Sequence, residues 1–216
     1  MLATAHGEVP TPAFMPVGTQ GTVKGLTPAD LRASGTRILL SNTYHLMLRP
    51  GSELIRSLGG LHRFMAWDGP ILTDSGGYQV LSMKELVKVT EDGVEFRSHL
   101  DGKLEFLSPE RSMEVQADLG SDIAVTFDHA VLLPLDAAAQ REAGERTLRW
   151  TERSLRHART LKTPDGSGQL LFAIVQGGGD PALRREMAER TAAYPCDGFA
   201  IGGLSVGETK RETWEL

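Results

Sequence analysis

The stretch Ile71 to Ser82, ILTDSGGYQVLS, begins as a strand and ends as something else. Ile71, Leu72 and Thr73 suit a buried extended segment. The next six positions gather an acid, a hydroxyl, two glycines, a phenol and an amide in Asp74, Ser75, Gly76, Gly77, Tyr78 and Gln79. Polar groups collected where an apolar strand stops are characteristic of parallel β/α proteins, whose sites lie at the carboxyl ends of the strands. The pattern recurs along the chain in AFMPVGT, RILLSNTY, PILTDSGG, DIAVTFDH, LLFAIVQGG and GFAIGGL, each followed by small or polar residues and then by a helical period. This alternation predicts parallel strands joined by crossover helices.

Local signals mark the helices. Thr27 then Pro28, Ser108 then Pro109, and Asp180 then Pro181 each place a capping side chain before a first-turn proline, while Gly35 and Gly120 supply stops. Asp136 to Lys162 reads as one long helix or two, whose seven basic residues and three glutamates suit a solvated outer face. KTPDGSGQ is then a loop. The β-rich segments around EDG and LDGK predict tight turns, hence a small antiparallel insertion over about residues 87–107, after the third strand. Six strand–helix units point to an α/β fold of the (β/α)₈ TIM-barrel type rather than a doubly wound sheet. A complete barrel takes about 250 residues. The 216 residues end in ETKRETWEL, which reads as the helix after strand six. The expectation is a single incomplete barrel domain over residues 1–216, truncated after about six strands.

With 40% apolar and 24% charged residues the chain can bury a sizeable core, and its net charge of -5 argues against a general coat for nucleic acid. The lone cysteine, Cys196, excludes an internal disulfide framework and any multi-cysteine zinc site within these residues. No apolar run approaches the ~20 residues of a membrane span, and MLATAHGEVP has no signal-peptide character; a cytoplasmic protein is expected.

Placed at strand ends, Asn42 and Thr43, Asp74 to Gln79, Asp128, Gln176 to Gly178 and Gly202 to Leu204 converge on one mouth. Asp74, partly desolvated, suits a general acid/base near neutral pH, or it caps the following helix. Asp128 can accept two parallel hydrogen bonds from a planar donor pair such as a guanine edge, or serve as a cap or ion-pair partner. Gln176 both donates and accepts, and the bare backbone at Gly177, Gly178, Gly202 and Gly203 admits a flat ligand. Tyr78 either stacks on a ring or packs. VQGGGDPAL also offers a helix N-terminus for a phosphate, although Asp180 is expected to occupy it. The six histidines form no metal motif in sequence, and His45 and His129 read as structural.

Taken together, TPAFMPVGTQGTVKGLTP, SNTYHLMLRPG, DSGGYQV, AIVQGGG and IGGLSVGE resemble the bacterial tRNA-guanine transglycosylases, the queuine tRNA-ribosyltransferases, over about residues 4–208. The resemblance implies exchange of the wobble guanine in the anticodon loop of particular tRNAs for a 7-deazaguanine, usually 7-aminomethyl-7-deazaguanine, through a covalent ribosyl–enzyme intermediate. It implies Asp74 as general acid/base and Asp128 as reader of the guanine edge. Gln176 and the backbone of Gly203 would contact the base carbonyl, Tyr78 would stack on the base, and Ser75, Gly76 and Gly77 would complete the pocket loop. It also implies a homodimer, and a carboxylate nucleophile and structural zinc held by residues beyond Leu216, so that this chain is expected to be an inactive piece with no metal of its own. His129 and Ala130 depart from the Glu and Cys usual after the strand-four aspartate. The alternatives are a non-catalytic partner subunit binding RNA or a catalytic chain, and a phosphate-ligand barrel enzyme.

Overall fold

The computed structural model describes residues 1–82 and 87–216. In chain order its elements are β1 (Leu2–Thr4), β2 (Gly7–Val9), α1 (Pro28–Ala33), β3 (Leu39–Ser41), α2 (Thr43–Leu48), α3 (Ser52–Ser57), α4 (Leu61–Met65), β4 (Ile71–Thr73) and α5 (Gly77–Ser82). There follow β5 (Lys88–Val89), β6 (Val94–Arg97), β7 (Leu104–Leu107), α6 (Pro109–Leu119), β8 (Ile123–Val125), α7 (Ala137–Ala158), β9 (Leu170–Val175), α8 (Pro181–Thr191), β10 (Gly198–Ile201) and α9 (Lys210–Glu215).

The caps form where the sequence places them. Thr27 and Asp30 make a reciprocal capping box on α1; Ser108 accepts from Arg111 N–H on α6, and left-handed Gly120 (φ 68°) ends that helix. Asp136 starts a single 22-residue α7 by accepting from Ala139 N–H. These contacts satisfy N–H groups that a helix leaves without internal partners.

Strands β3, β4, β8, β9 and β10 lie side by side, parallel and in sequence order, in one five-stranded sheet. Each spans only a few residues, and the two sides separate cleanly because side chains alternate across a sheet. Leu39 and Ile71 pack outward with Leu31, Leu46, Ile55, Leu61, Val115 and Leu119 from the helices. Leu72, Ile123, Val125 and Ile174 pack on the inner side with Val9, Met15 and Leu40. The α/β class is as expected, but the sheet is open: β10 and β3 form its two ends. AFMPVGT, expected as a full strand, contributes one bridge, Val17 to Leu40, flanked by Leu40 N–H to Pro16 O at 3.0 Å. Pro12 and Pro16 have no N–H to donate to a ladder, so this segment runs along β3 without becoming a strand.

The insertion forms as a three-stranded antiparallel sheet, β5-β6-β7. Helix α7 holds it, which corrects the expectation of a merely solvated arginine face. Arg149 forks onto Glu91 at 2.7 and 2.9 Å; Arg153 reaches Glu110 as well as the carbonyls of Glu91 and Asp92; and buried Trp150 donates to Glu91 O at 2.8 Å. Single exposed ion pairs contribute about 0.2–1 kcal/mol. The convergence of four α7 side chains, Arg146 among them, on the Glu91 turn nevertheless fixes where the insertion sits. Among the described residues, no helix is long and apolar enough to cross a membrane.

At the amino-terminal ends of the strands, the β1–β2 hairpin brings His6 against His62 and Asp122. The two imidazoles stack with centroids 3.7 Å apart. Asp122 Oδ1 accepts from His6 N–H and contacts His6 Nδ1, both at 2.9 Å; its Oδ2 accepts from Ile71 N–H at 2.8 Å and contacts His62 Nε2 at 3.1 Å. The sequence separations of 116 and 60 residues hid this cluster from motif reading. Its ligand atoms lie within 4.8 Å of one another, as at a metal site. However, both Asp122 oxygens are already occupied and the stacked rings run nearly parallel, so the group is a brace that ties the hairpin to the sheet.

Burial raises the Asp122 pKa, but hydrogen bonds from His62, Ile71 N–H and His6 outweigh it and bring the group from 3.8 down to about 2. A folded pKa below the unfolded one gives stability that is complete above about pH 4 and lost as pH falls toward 2. We predict that Asp122→Asn lowers unfolding free energy at pH 7 by on the order of 2 kcal/mol, the scale of such a linkage, with the deficit shrinking below pH 4. Urea unfolding of both proteins between pH 3 and 7 checks this; a deficit independent of pH would contradict it.

Candidate functional site

A cavity of about 370 Å³ opens beyond the carboxyl ends of the parallel strands, walled by residues including Leu40, Asp74, Ser75, Tyr78, Gln79, Asp128, Ala130, Gln176, Gly202, Gly203 and Leu204. Each strand delivers its polar group through the turn that ends it. Asp74 follows β4 and is held from two sides: Oδ1 accepts Thr43 N–H at 2.9 Å, and Oδ2 accepts the amides of Asn42 (2.5 Å) and Gln79 (2.8 Å). Asp74 therefore satisfies the start of α2, across the neighbouring strand, as well as facing the cavity. Asn42 makes no side-chain cap bond of its own there.

Asp128 follows β8 and is 3% exposed. Its Oδ1 accepts Ser75 Oγ–H at 2.7 Å and its Oδ2 accepts Gln176 Nε2–H at 2.6 Å. Three strand ends thus meet at one carboxylate. Burial raises the pKa of both aspartates; hydrogen bonds oppose the rise, and for Asp128 the charge of Asp74 adds to it. Two acids made costly to ionise within one cavity are candidates for proton transfer.

The glycines divide into two groups. Gly202 and Gly203 wrap the Gln176 amide: a Cβ on either would come within 2.6 Å of an atom of that side chain, so only glycine lets the loop close over it. Gln176 Oε1 and Gln79 Oε1 are buried without a hydrogen-bond partner among the described residues, an expensive condition for an amide oxygen. Gly76 and Gly77 lie behind the wall, where a Cβ on Gly77 would meet Asp128 O at 2.7 Å. Gly177 backs onto α8, with Arg184 Cα 2.7 Å from its Cβ position. The missing Cβ atoms at Gly77 and Gly177 thus make close packing possible. Tyr78 stands 46% exposed at the rim.

The phosphate reading loses its anion site, since Asp180 Oδ1 itself accepts Ala182 and Leu183 N–H at the start of α8. His129 is structural as expected: its N–H donates to Thr147, its Nδ1 contacts Arg146 at 3.1 Å, and burial followed by the Arg146 charge pushes its pKa down to about 4. A larger groove, of about 550 Å³, runs between the α2–α3 turn and the insertion, but its charged lining (Arg49, Glu53, Asp101, Lys103, Glu105, Arg111) lies on the surface, away from the buried acids. The residue that sequence reading missed is Arg184, buried on α8 against the glycine loops. As one of several arginines in an outer helix it carried no signal.

Sequence-ordered parallel strands whose carboxyl ends enclose buried acids define the class: a β/α protein shaped to hold a small polar ligand over its sheet. The chain belongs to the queuine tRNA-ribosyltransferase family, whose model matches residues 1–216. It is similar to the queuine tRNA-ribosyltransferases of Pelotomaculum thermopropionicum, 55% identical over 216 residues, and Desulforamulus reducens, 53% over 215. That of Thermus thermophilus is 54% identical over 215 residues. All of this chain is aligned in each case, and it spans 57%, 56% and 54% of those relatives.

A buried acid whose folded pKa is raised costs stability as pH climbs through that value. We predict that Asp128→Asn is more stable than the wild type at pH 8, because the charge is removed and Gln176 can turn its unpartnered Oε1 toward the new amide. The gain, about 1 kcal/mol or more, should be smaller at pH 5, because lowering the pH favours the protonated form of an acid whose pKa is raised. Denaturant unfolding at the two pH values checks this; a variant less stable at pH 8 would contradict it.

Proposed function

We propose that the cavity is a pocket for a guanine-type base and that the protein takes part in exchanging guanine for a 7-deazaguanine in tRNA, the chemistry that its family resemblance implies. The observation that carries the reading is the pair of carboxylates, half-buried Asp74 and buried Asp128, facing one cavity with the Gln176 amide between strand ends. A base excised from RNA must be flipped out, stacked and read on its edge. Tyr78 at the rim offers a ring face, and Asp128 offers two parallel acceptors for the ring N–H and the 2-amino group of guanine. As those donors take Asp128, Gln176 Nε2 is released to donate to the base carbonyl, so the exchange of partners leaves no buried donor idle.

Asp74 acts as general acid and base. Protonated, it gives its proton to the departing base; ionised, it takes one from the entering base. Asn42, Thr43 and Gln79 fix the carboxyl group in both states. Retaining transfer also needs a carboxylate that bonds to the ribose carbon as the base leaves. Asp74 and Asp128 are both on the base side, and the family resemblance puts this nucleophile, like the structural zinc and much of the tRNA and homodimer surface, outside residues 1–216. The single domain of this chain is then the base-binding part of a closed (β/α)₈ barrel working in the cytoplasm on the anticodon loop. A non-catalytic partner subunit has no use for two carboxylates held at one base-sized cavity.

Two outcomes test the assignment. Asp128→Asn should abolish measurable guanine binding, since an amide presents a donor to a donor at a buried site, a mismatch of several kcal/mol; wild-type affinity in calorimetry would sink it. In the full-length protein, Asp74→Asn should leave base affinity within about tenfold while slowing incorporation of labelled guanine into tRNA by on the order of 10² or more. A near wild-type rate would reduce Asp74 to a cap for α2. Residues 1–216 alone should show no incorporation above background.

A further inference from the structure

We infer that Arg184 is a positioning residue that aims the backbone N–H groups of Gly203 and Leu204 into the base pocket, setting the preference for a base that carries a carbonyl oxygen. Arg184 lies on α8 and is 5% exposed. Its Nε donates to Gly178 O at 2.9 Å, and its Nη2 donates to both Gly202 O at 2.9 Å and Gly203 O at 2.7 Å. One guanidinium therefore spans the loops that follow β9 and β10.

Across a trans peptide the carbonyl and the next N–H point in opposite directions. Drawing the Gly202 and Gly203 carbonyls onto one nitrogen turns the N–H groups of Gly203 and Leu204 together, away from α8 and toward the cavity that these residues line. The left-handed backbone of Gly203 (φ 65°) keeps the two peptides parallel, a concave arrangement of donors suited to a partial negative charge. Neither N–H donates to another described residue. A Cβ on Gly203 would stand 2.6 Å from Gln176 Oε1 and 3.3 Å from Arg184 Nη2, so the loop, the amide and the guanidinium share one small space. Burial lowers the Arg184 pKa and the charge of Glu208 opposes that shift. Glu208 in turn accepts from Val206 N–H at 2.9 Å, which ties the far end of the same loop.

This inference rests on the base-pocket reading, and its test separates the two. Guanine and 2-aminopurine, which lacks the carbonyl oxygen and with it the adjoining ring N–H, are titrated into the wild type and into Arg184→Met, and each base is compared with itself across the two proteins. The variant is expected to lose roughly tenfold or more in guanine affinity, with 2-aminopurine changed by less than about threefold, so that the affinities of the two bases converge. An equal loss for both, or none for guanine, would overturn the proposal. Arg184→Lys guards against loss of folding, because one ammonium cannot replace a planar fork that serves three carbonyls; it should show the same selective loss in smaller measure. Unfolding of both variants would make Arg184 a structural strut and also overturn the inference. A wild type that binds no guanine is a failure of the base-pocket reading itself, seen before any variant is compared.

Discussion

The Asp128 carboxylate holds three strand ends together. It follows β8, receives the Ser75 hydroxyl from the turn after β4, and receives the Gln176 amide from the end of β9. A buried ion costs far more than a buried methyl group unless each lone pair finds a donor, so the groups that supply those donors are constrained by the charge they serve. Ser75 must sit between Gly76 and β4, Gly77 must lack a side chain to let Asp128 approach, and Gly202 and Gly203 must be bare for the loop to close over Gln176. The glycine-rich strand ends are therefore the mould of one polar network more than they are flexible hinges.

The two ends of the sheet treat their buried aspartates in opposite ways. At the amino-terminal end Asp122 is given two backbone N–H groups and two imidazoles, and its pKa falls. Each of those donors ties a distant segment to the sheet, so the charge serves the fold. At the carboxyl end burial raises the pKa values of Asp74 and Asp128 against the hydrogen bonds that each receives, and for Asp128 the charge of Asp74 adds to the rise. That end gives up stability to keep groups that can still exchange partners and protons, as functional sites commonly do.

What the sequence made legible was local. The caps at Thr27, Ser108, Asp136 and Asp180 and the Asp-Gly turns of the insertion each depend on a few adjacent residues, and each formed in place. Asp74, Tyr78, Asp128 and Gln176 could be placed at one mouth because parallel strands send their carboxyl ends the same way. What depends on distant pairing was hidden: the β1–β2 hairpin, the His6–His62–Asp122 brace, the α7 arginines on Glu91, and Arg184 reaching three carbonyls. AFMPVGT matched a strand in apolar content, while Pro16 within it and Pro12 just before it have no N–H for the ladder. The packing role of Gly76, Gly77 and Gly177, whose missing Cβ atoms make room for Tyr44, Asp128 and α8, depends on distant neighbours and is likewise invisible in the sequence.

The central claim, that the cavity reads a guanine edge through Asp128, is tested most directly by comparing guanine with hypoxanthine in calorimetric titrations of the protein. Hypoxanthine keeps the carbonyl and ring N–H but lacks the 2-amino donor. Asp128 would then hold one oxygen without a partner, at about 1–3 kcal/mol, so guanine should bind roughly tenfold or more tightly. Equal affinities for the two bases would show that Asp128 does not read the edge and would contradict the account.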